Sequence, residues 1–190
     1  MRIFFPRHYA FYPETWVMPS DHHKIVKKHV RGKVYIVKPE SGCQGQGIYL
    51  TDNPHKLERC SHEVVQEYLM RPHLIDGLKF DMRWYVLVTC VQPLRIYLFN
   101  DGIVRFATES FEQPNAENMN DQFRHLTNYA INKKNAKFFN KDATPERGSS
   151  QLGPNESKYK RKFSTVLQQL AGVGCDTKHL MAKIKVALSM

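Results

Sequence analysis

Cysteine is scarce in this 190-residue chain. There are four, at positions 43, 60, 90 and 175, and no two form a CxxC pair. That spacing excludes the common zinc and dithiol redox motifs and fits thiols kept free in a reducing, cytosolic compartment. No stretch approaches eighteen consecutive apolar residues, so no membrane span is expected. The start, Met1 to Phe5 followed by Pro6, is too short for a signal-peptide core. No Gly-Lys-Ser/Thr closes a Walker A loop, no nucleophile elbow is present, and the aromatics lack the pattern that stacks RNA bases. His22, His23, His55 and His62 have no metal-ligand spacing with carboxylates and read as surface residues. Acid is also in short supply: 18 Asp and Glu stand against 28 Lys and Arg, a net charge of +10. Such a surface is either generic or meant for a polyanion, and charge alone does not choose between these. Neither nucleic acid nor membrane is expected as a partner.

What is present reads as one α+β domain over 1–190. Residues 1–20, rich in aromatics and proline, suggest an irregular segment tucked against the domain. KVYIVK at 33–38 is a buried-strand pattern. The glycine-rich turn SGCQGQG at 41–47 follows, then a short strand, Ile48 to Thr51. Asn53 with Pro54 opens a short helix over 54–60, and EVVQEYL at 63–69 is a further strand. From Lys79 to Gln92 apolar and polar residues alternate, which puts Lys79, Asp81 and Arg83 on one strand face. Pro93 turns the chain into a strand Leu94–Phe99. Asn100-Asp101-Gly102 signals a hairpin, and Ile103–Thr108 completes an antiparallel meander. Residues 111–123 and 140–157 read as loops, the second as a flexible one. Apolar residues at helical spacing predict helices over 158–171 and 176–189.

Two constellations could carry chemistry. Lys38 ends a strand just before Ser41-Gly42-Cys43-Gln44-Gly45-Gln46-Gly47, a loop whose backbone N–H groups could cradle phosphate with the lysine adding charge. The plainer reading is a tight hairpin. The Lys79, Asp81, Arg83 face could line a polar cleft with Arg105 from a neighbouring strand, or be a solvated face with ordinary ion pairs. His125-Leu126-Thr127-Asn128-Tyr129 gathers hydrogen-bonding groups that otherwise suit a turn or cap.

Their order along the chain is more telling than any one of them. FYPETW at 11–16, VKPESGCQGQGIYL at 37–50, VVQEYL at 64–69, LIDGLKFDMRWYVLVT at 74–89, RFAT at 105–108 and HLTNYAINK at 125–133 together resemble the tubulin tyrosine ligase-like family. The resemblance covers roughly residues 4–139, and is nearest to the glutamate-adding members, the tubulin polyglutamylases. It implies an ATP-grasp fold, in which ATP lies between antiparallel sheets. It also implies a reaction in which ATP and magnesium activate an acceptor glutamate as an acyl-phosphate that a free amino acid then attacks.

The same resemblance implies roles. Lys38 would bind ATP phosphates, with Gln44, Gly45, Gln46, Gly47 and Ile48 closing over them. Gln66, Glu67, Tyr68 and Leu69 would form the adenine edge. Lys79 would reach phosphate and Asp81 the ribose. Arg83 and Arg105 would be catalytic, beside the transferred phosphoryl group. Thr127 and Asn128 would bound the nucleotide, and Tyr129 and Lys162 would meet the amino acid. The magnesium ligands would lie beyond residue 190, so the domain is expected to be incomplete at its C-terminus and inactive alone. The implied partners are tubulin or microtubules, through their acidic tails, and free glutamate. The implied location is the cytoplasm at the cytoskeleton, cilium or basal body included. A nonenzymatic remnant that holds nucleotide or microtubules is the alternative.

Overall fold

A computed structural model describes residues 4–57, 62–138 and 157–188. Two four-stranded antiparallel sheets carry the described residues, and helices cover one face of each. The loop expected over 140–157 lies outside the described residues except for Ser157.

The first sheet has the order β1-β4-β2-β3, with β1 Thr15–Val17, β2 Tyr35–Pro39, β3 Tyr49–Thr51 and β4 Glu63–Glu67. Its β-branched strands alternate inward and outward, so Val37 and Val65 bury one face with Trp16 and Tyr35. Helix α1, His22–Lys28, closes that face through Ile25, which is fully buried. Fully burying each such aliphatic side chain is worth about 1.5–3 kcal/mol. The opposite face presents Lys38 and Gln66. The N-terminal stretch differs from the expected tucked segment. Thr15–Val17 joins the sheet edge, while Phe4, Phe5, Phe11 and Tyr12 are exposed. Of the helix expected over 54–60, residues 58–60 lie outside the described residues; the rest is one 3-10 turn, Pro54–Lys56, with the Asn53 side chain accepting from the His55 N–H.

The second sheet has the order β5-β6-β7-β8: β5 Leu74–Ile75, β6 Leu78–Val91, β7 Leu94–Phe106 and β8 Lys160–Lys162. One face carries Phe80, Trp84, Val104 and Phe106 under α4, Phe163–Gly172, and α5, Thr177–Leu188. The other face carries Asp81, Arg105 and Lys160 in one cross-strand row and Arg83, Ile103 and Lys162 in the next. Between β7 and β8 in sequence lie α2, Gln122–His125, and α3, Tyr129–Asn132.

Two expectations fail here for physical reasons. Asn100-Asp101-Gly102 is not a hairpin, since β7 runs unbroken from Leu94 to Phe106. The register passes from Trp84↔Gly102 to Val86↔Leu98, so β7 bulges by two residues at this point. The Asp101 carboxylate accepts from the Gly102 N–H at 2.8 Å, the Ser164 N–H at 3.0 Å and the Ser164 hydroxyl at 3.0 Å. It thus caps α4 from a neighbouring strand, where Lys162 offers no side-chain cap. Gly102 is required because a Cβ there would lie 2.6 Å from the Arg83 carbonyl oxygen. The helix expected from 158 begins only at Phe163, because Lys160–Lys162 pairs with β7 instead. Buried Arg161 faces the core from β8, stacks on Phe106 with its carbon 4.4 Å from the ring centroid, and pairs with Asp76 at 2.5 Å.

Candidate functional site

Lys38 and Lys79 come from different sheets yet sense each other electrostatically. The Lys38 ammonium donates to Gln66 Oε1 at 2.9 Å, and Gln66 Nε2 donates to Thr15 Oγ1 at 2.9 Å. Burial holds the Lys38 ammonium below its ordinary range. Burial pulls Lys79 down to about 8, a shift the Asp81 carboxylate partly opposes and the Lys38 charge reinforces. Two partly desolvated cations that raise each other's cost of charge would each be stabilised by a nearby anion.

The glycine-rich loop stands against the HLTN segment. Gly45 is buried with φ of 90°, and a Cβ there would meet Ile131 Cδ1 at 2.6 Å and Asn128 Cγ at 2.8 Å. Only glycine lets the loop approach this closely. Gln44, Gln46 and Gly47 are exposed, and Ile48 accepts at its carbonyl from Gln122 Nε2 at 3.1 Å. Asn132, unremarked in the sequence, ties HLTN to the segment that follows β7. Its Oδ1 accepts from the Thr108 N–H and hydroxyl, and its Nδ2 donates to the Leu126 and Asn128 carbonyls.

The expected adenine edge is mixed in character. Glu67 forms an ion pair with Lys33 at 3.1 Å, and Leu69 is exposed. Tyr68 is buried, and its hydroxyl contacts His125 Nδ1 at 3.2 Å and accepts from the Lys79 ammonium at 2.9 Å. Asp81 grips Arg105 through two hydrogen bonds, 3.1 Å at Nε and 2.6 Å at Nη2. The carboxylate assigned to ribose is thus the partner of an arginine.

Beside that pair lies a cavity of about 220 Å³ lined by Arg83, Arg105, Thr127, Tyr129 and Lys160, with Phe138 and Tyr159 among its apolar walls. Four of those five polar residues were expected at the site. Lys162 shares the sheet face but lines the next row, and Lys160 takes the place in the cavity. A run of basic residues has no apolar alternation, so the sequence gives no sign of which lysine faces the pocket. The β8 register supplies it: with Arg161 turned to the core, Lys160 and Lys162 turn to the cleft.

The described residues do not fit a magnesium ion. Asp81 is held by Arg105, Glu67 by Lys33, and Glu109 by Lys137 and Asn135. Among the described residues no three His, Cys, Asp or Glu side chains gather as ligands. Among the same residues no helix is long and apolar enough to cross a membrane.

The profile of the tubulin-tyrosine ligase family matches residues 2–183. A Tetrahymena thermophila protein named "Probable beta-tubulin polyglutamylase" is 45% identical over 193 residues, 99% of this chain and 15% of its own length. The Xenopus tropicalis tubulin polyglutamylase TTLL7 is 45% identical over 150 residues, 76% of this chain and 16% of its own. The Mus musculus tubulin polyglutamylase TTLL11 is 40% identical over 197 residues, 97% of this chain and 26% of its own. The chain thus spans from 15 to 26% of the length of these relatives.

Proposed function

The chain belongs to the tubulin-tyrosine ligase family, and from that premise we propose that it supplies the nucleotide face and part of the amino-acid pocket of an ATP-dependent ligase that adds glutamate to tubulin tails. The observation that carries this reading is the pairing of two cationic places on neighbouring elements. Lys38, Lys79 and the glycine-rich loop suit phosphate, and Arg83, Arg105 and Lys160 line a cavity on the sheet face that Lys79 shares.

In the proposed reaction a carboxylate oxygen of the acceptor glutamate attacks the γ-phosphorus of ATP, and the bond to the β-γ bridging oxygen breaks to release ADP. The amine of the incoming amino acid then attacks the acyl carbon, phosphate leaves, and the amine loses a proton. Charge building on the phosphoryl oxygens is met by fixed cations, Lys79 among them. Arg105, oriented by Asp81, and Arg83 stand where the phosphoryl group and the incoming carboxylates converge. A substrate with two carboxylates suits this pocket better than tyrosine or glycine, because Arg83 and Lys160 line it beside the Asp81-paired Arg105. Magnesium would lower the barrier further by neutralising phosphate charge, but the residues described here do not form its site and no step is assigned to it.

Binding of the non-hydrolysable analogue AMP-PNP to the chain, measured by calorimetry, tests the reading. Lys38→Ala and Lys79→Ala should each weaken binding by roughly ten- to a hundred-fold, the loss typical of one charged contact. Wild-type affinity in both variants would sink the reading. A nonenzymatic, nucleotide- or microtubule-binding role is a second reading, supported by the engagement of Asp81, Glu67 and Glu109 in ion pairs. Incubation with microtubules, ATP, magnesium and labelled glutamate tests the second reading, which incorporated label would overturn. This chain alone should incorporate no label above a Lys38→Ala control.

A further inference from the structure

His125 is buried in the HLTN segment, and each of its ring nitrogens has one partner. Nε2 lies 3.1 Å from the Asn118 carbonyl oxygen, and Nδ1 lies 3.2 Å from the Tyr68 hydroxyl. A carbonyl only accepts, so Nε2 carries the proton. Burial, with the nearby Lys79 charge, lowers the ring's affinity for a second proton below that of an ordinary histidine. Nδ1 is therefore a bare acceptor, and the Tyr68 O–H must point at it. With its proton so committed, the Tyr68 oxygen offers its lone pairs to Lys79, whose ammonium is 2.9 Å away. Lys79 gives a second N–H to the His125 carbonyl at 2.8 Å. Its Nζ also stands 4.2 Å from the centre of the Tyr68 ring, within cation–π range.

The hydrogen bonds thus run in one direction: Lys79 to Tyr68, Tyr68 to His125, His125 to Asn118. An ammonium has three N–H groups, and these contacts fix two of them, which leaves one aimed by the other two. We propose that Tyr68 and His125 are positioning residues: the Nε2–H form of His125 orients the Tyr68 hydroxyl so that it holds the Lys79 ammonium with one N–H directed at a nucleotide phosphate. This rests on the reading that Lys79 meets phosphate. It gives Tyr68 a task other than bounding adenine, and it gives the histidine of HLTN a task that the segment's local turn geometry does not require. A protonated His125 would present N–H to the tyrosine and reverse the donor order, so the arrangement needs a neutral ring.

The test is a double-mutant cycle on the 190-residue chain with AMP-PNP as probe. Tyr68→Phe keeps the ring and its packing but removes the lone pairs that receive Lys79. It should weaken AMP-PNP by about ten-fold. In a Lys79→Ala background the same change should cost nothing more, because its effect travels through the lysine. The tautomer is read separately by ¹⁵N NMR of the imidazole. Wild type should show a protonated Nε2 and an unprotonated, hydrogen-bonded Nδ1, with the Nδ1 resonance moving in Tyr68→Phe. If Lys79→Ala leaves affinity unchanged, the phosphate reading fails and takes the proposal with it. If Lys79→Ala weakens binding while Tyr68→Phe does not, or the two losses add, only the positioning role is overturned. A proton found on Nδ1 overturns it as well.

Discussion

At the scale of single residues, the chemistry lies in how burial sets protonation. Lys79 sits at about 8 in the free chain, so it is about half protonated at pH 8 and largely charged at pH 7. A phosphate beside it favours the ammonium and raises that value. Nucleotide binding at pH 8 should therefore take up to about half a proton, and far less at pH 7. Calorimetry in buffers of different ionisation enthalpy measures this directly, and Lys79→Met should abolish it. His125 gives the opposite exercise. Burial lowers it from 6.5, so in the acid range the unfolded chain binds more protons there than the folded one. Its stabilising share is present above 6.5 and is lost as pH falls from there through the lowered folded value. Melting temperature should fall between pH 7 and 5, and less steeply in His125→Gln if that variant folds. Lys38, Lys79, Arg83 and Arg105 were legible as charged positions on strand faces or ends. The directed chain through Tyr68 was not, because Tyr68 and His125 are 57 residues apart and only the fold makes them neighbours.

At the scale of elements, alternation made β6 and the first half of β7 readable, and β2, β4, α4 and α5 followed from their apolar periods. The errors fall where a residue serves a neighbour in space. Asp101 resembled a hairpin corner but caps α4, and Lys160–Lys162 resembled the first turn of a helix but is a strand. Removing the cap with Asp101→Ala should cost about 1–2 kcal/mol, with Asp101→Asn recovering part of it, as judged by urea unfolding. Arg161 anchors β8 through Phe106, Asp76 and Gln169. Arg161→Ala should destabilise by roughly 2–4 kcal/mol through lost packing and hydrogen bonds. If β8 loosens, Lys160 leaves the cavity. Amide exchange should then quicken at residues 160–162 before it does in β2 or β4.

At the scale of the whole molecule, the β6–β7 hairpin extends past the layer that α4 and α5 cover. Tyr85, Leu87, Val88, Ile96, Tyr97 and Phe99 are exposed near its end and fall on both faces. A strand pair apolar on both sides is the pattern of a sheet meant to be covered twice. In isolation it is a site for self-association. The chain should therefore show concentration-dependent oligomers by light scattering. The pair Leu87→Ser and Tyr97→Ser, directly cross-strand partners, should reduce them without changing the melting temperature by more than about 0.5 kcal/mol in equivalent stability. Lys38 and Lys79, from the two sheets, both have their ammonium forms undermined by burial. An amine with a lowered proton affinity carries a larger neutral, nucleophilic fraction near pH 8 than an ordinary lysine does. Short exposure to an acylating reagent should therefore mark these two side chains early, and occupancy of the cleft by nucleotide should shield both. The electrostatics of the fold would then be legible as a reactivity footprint, residue by residue, in a peptide mass map.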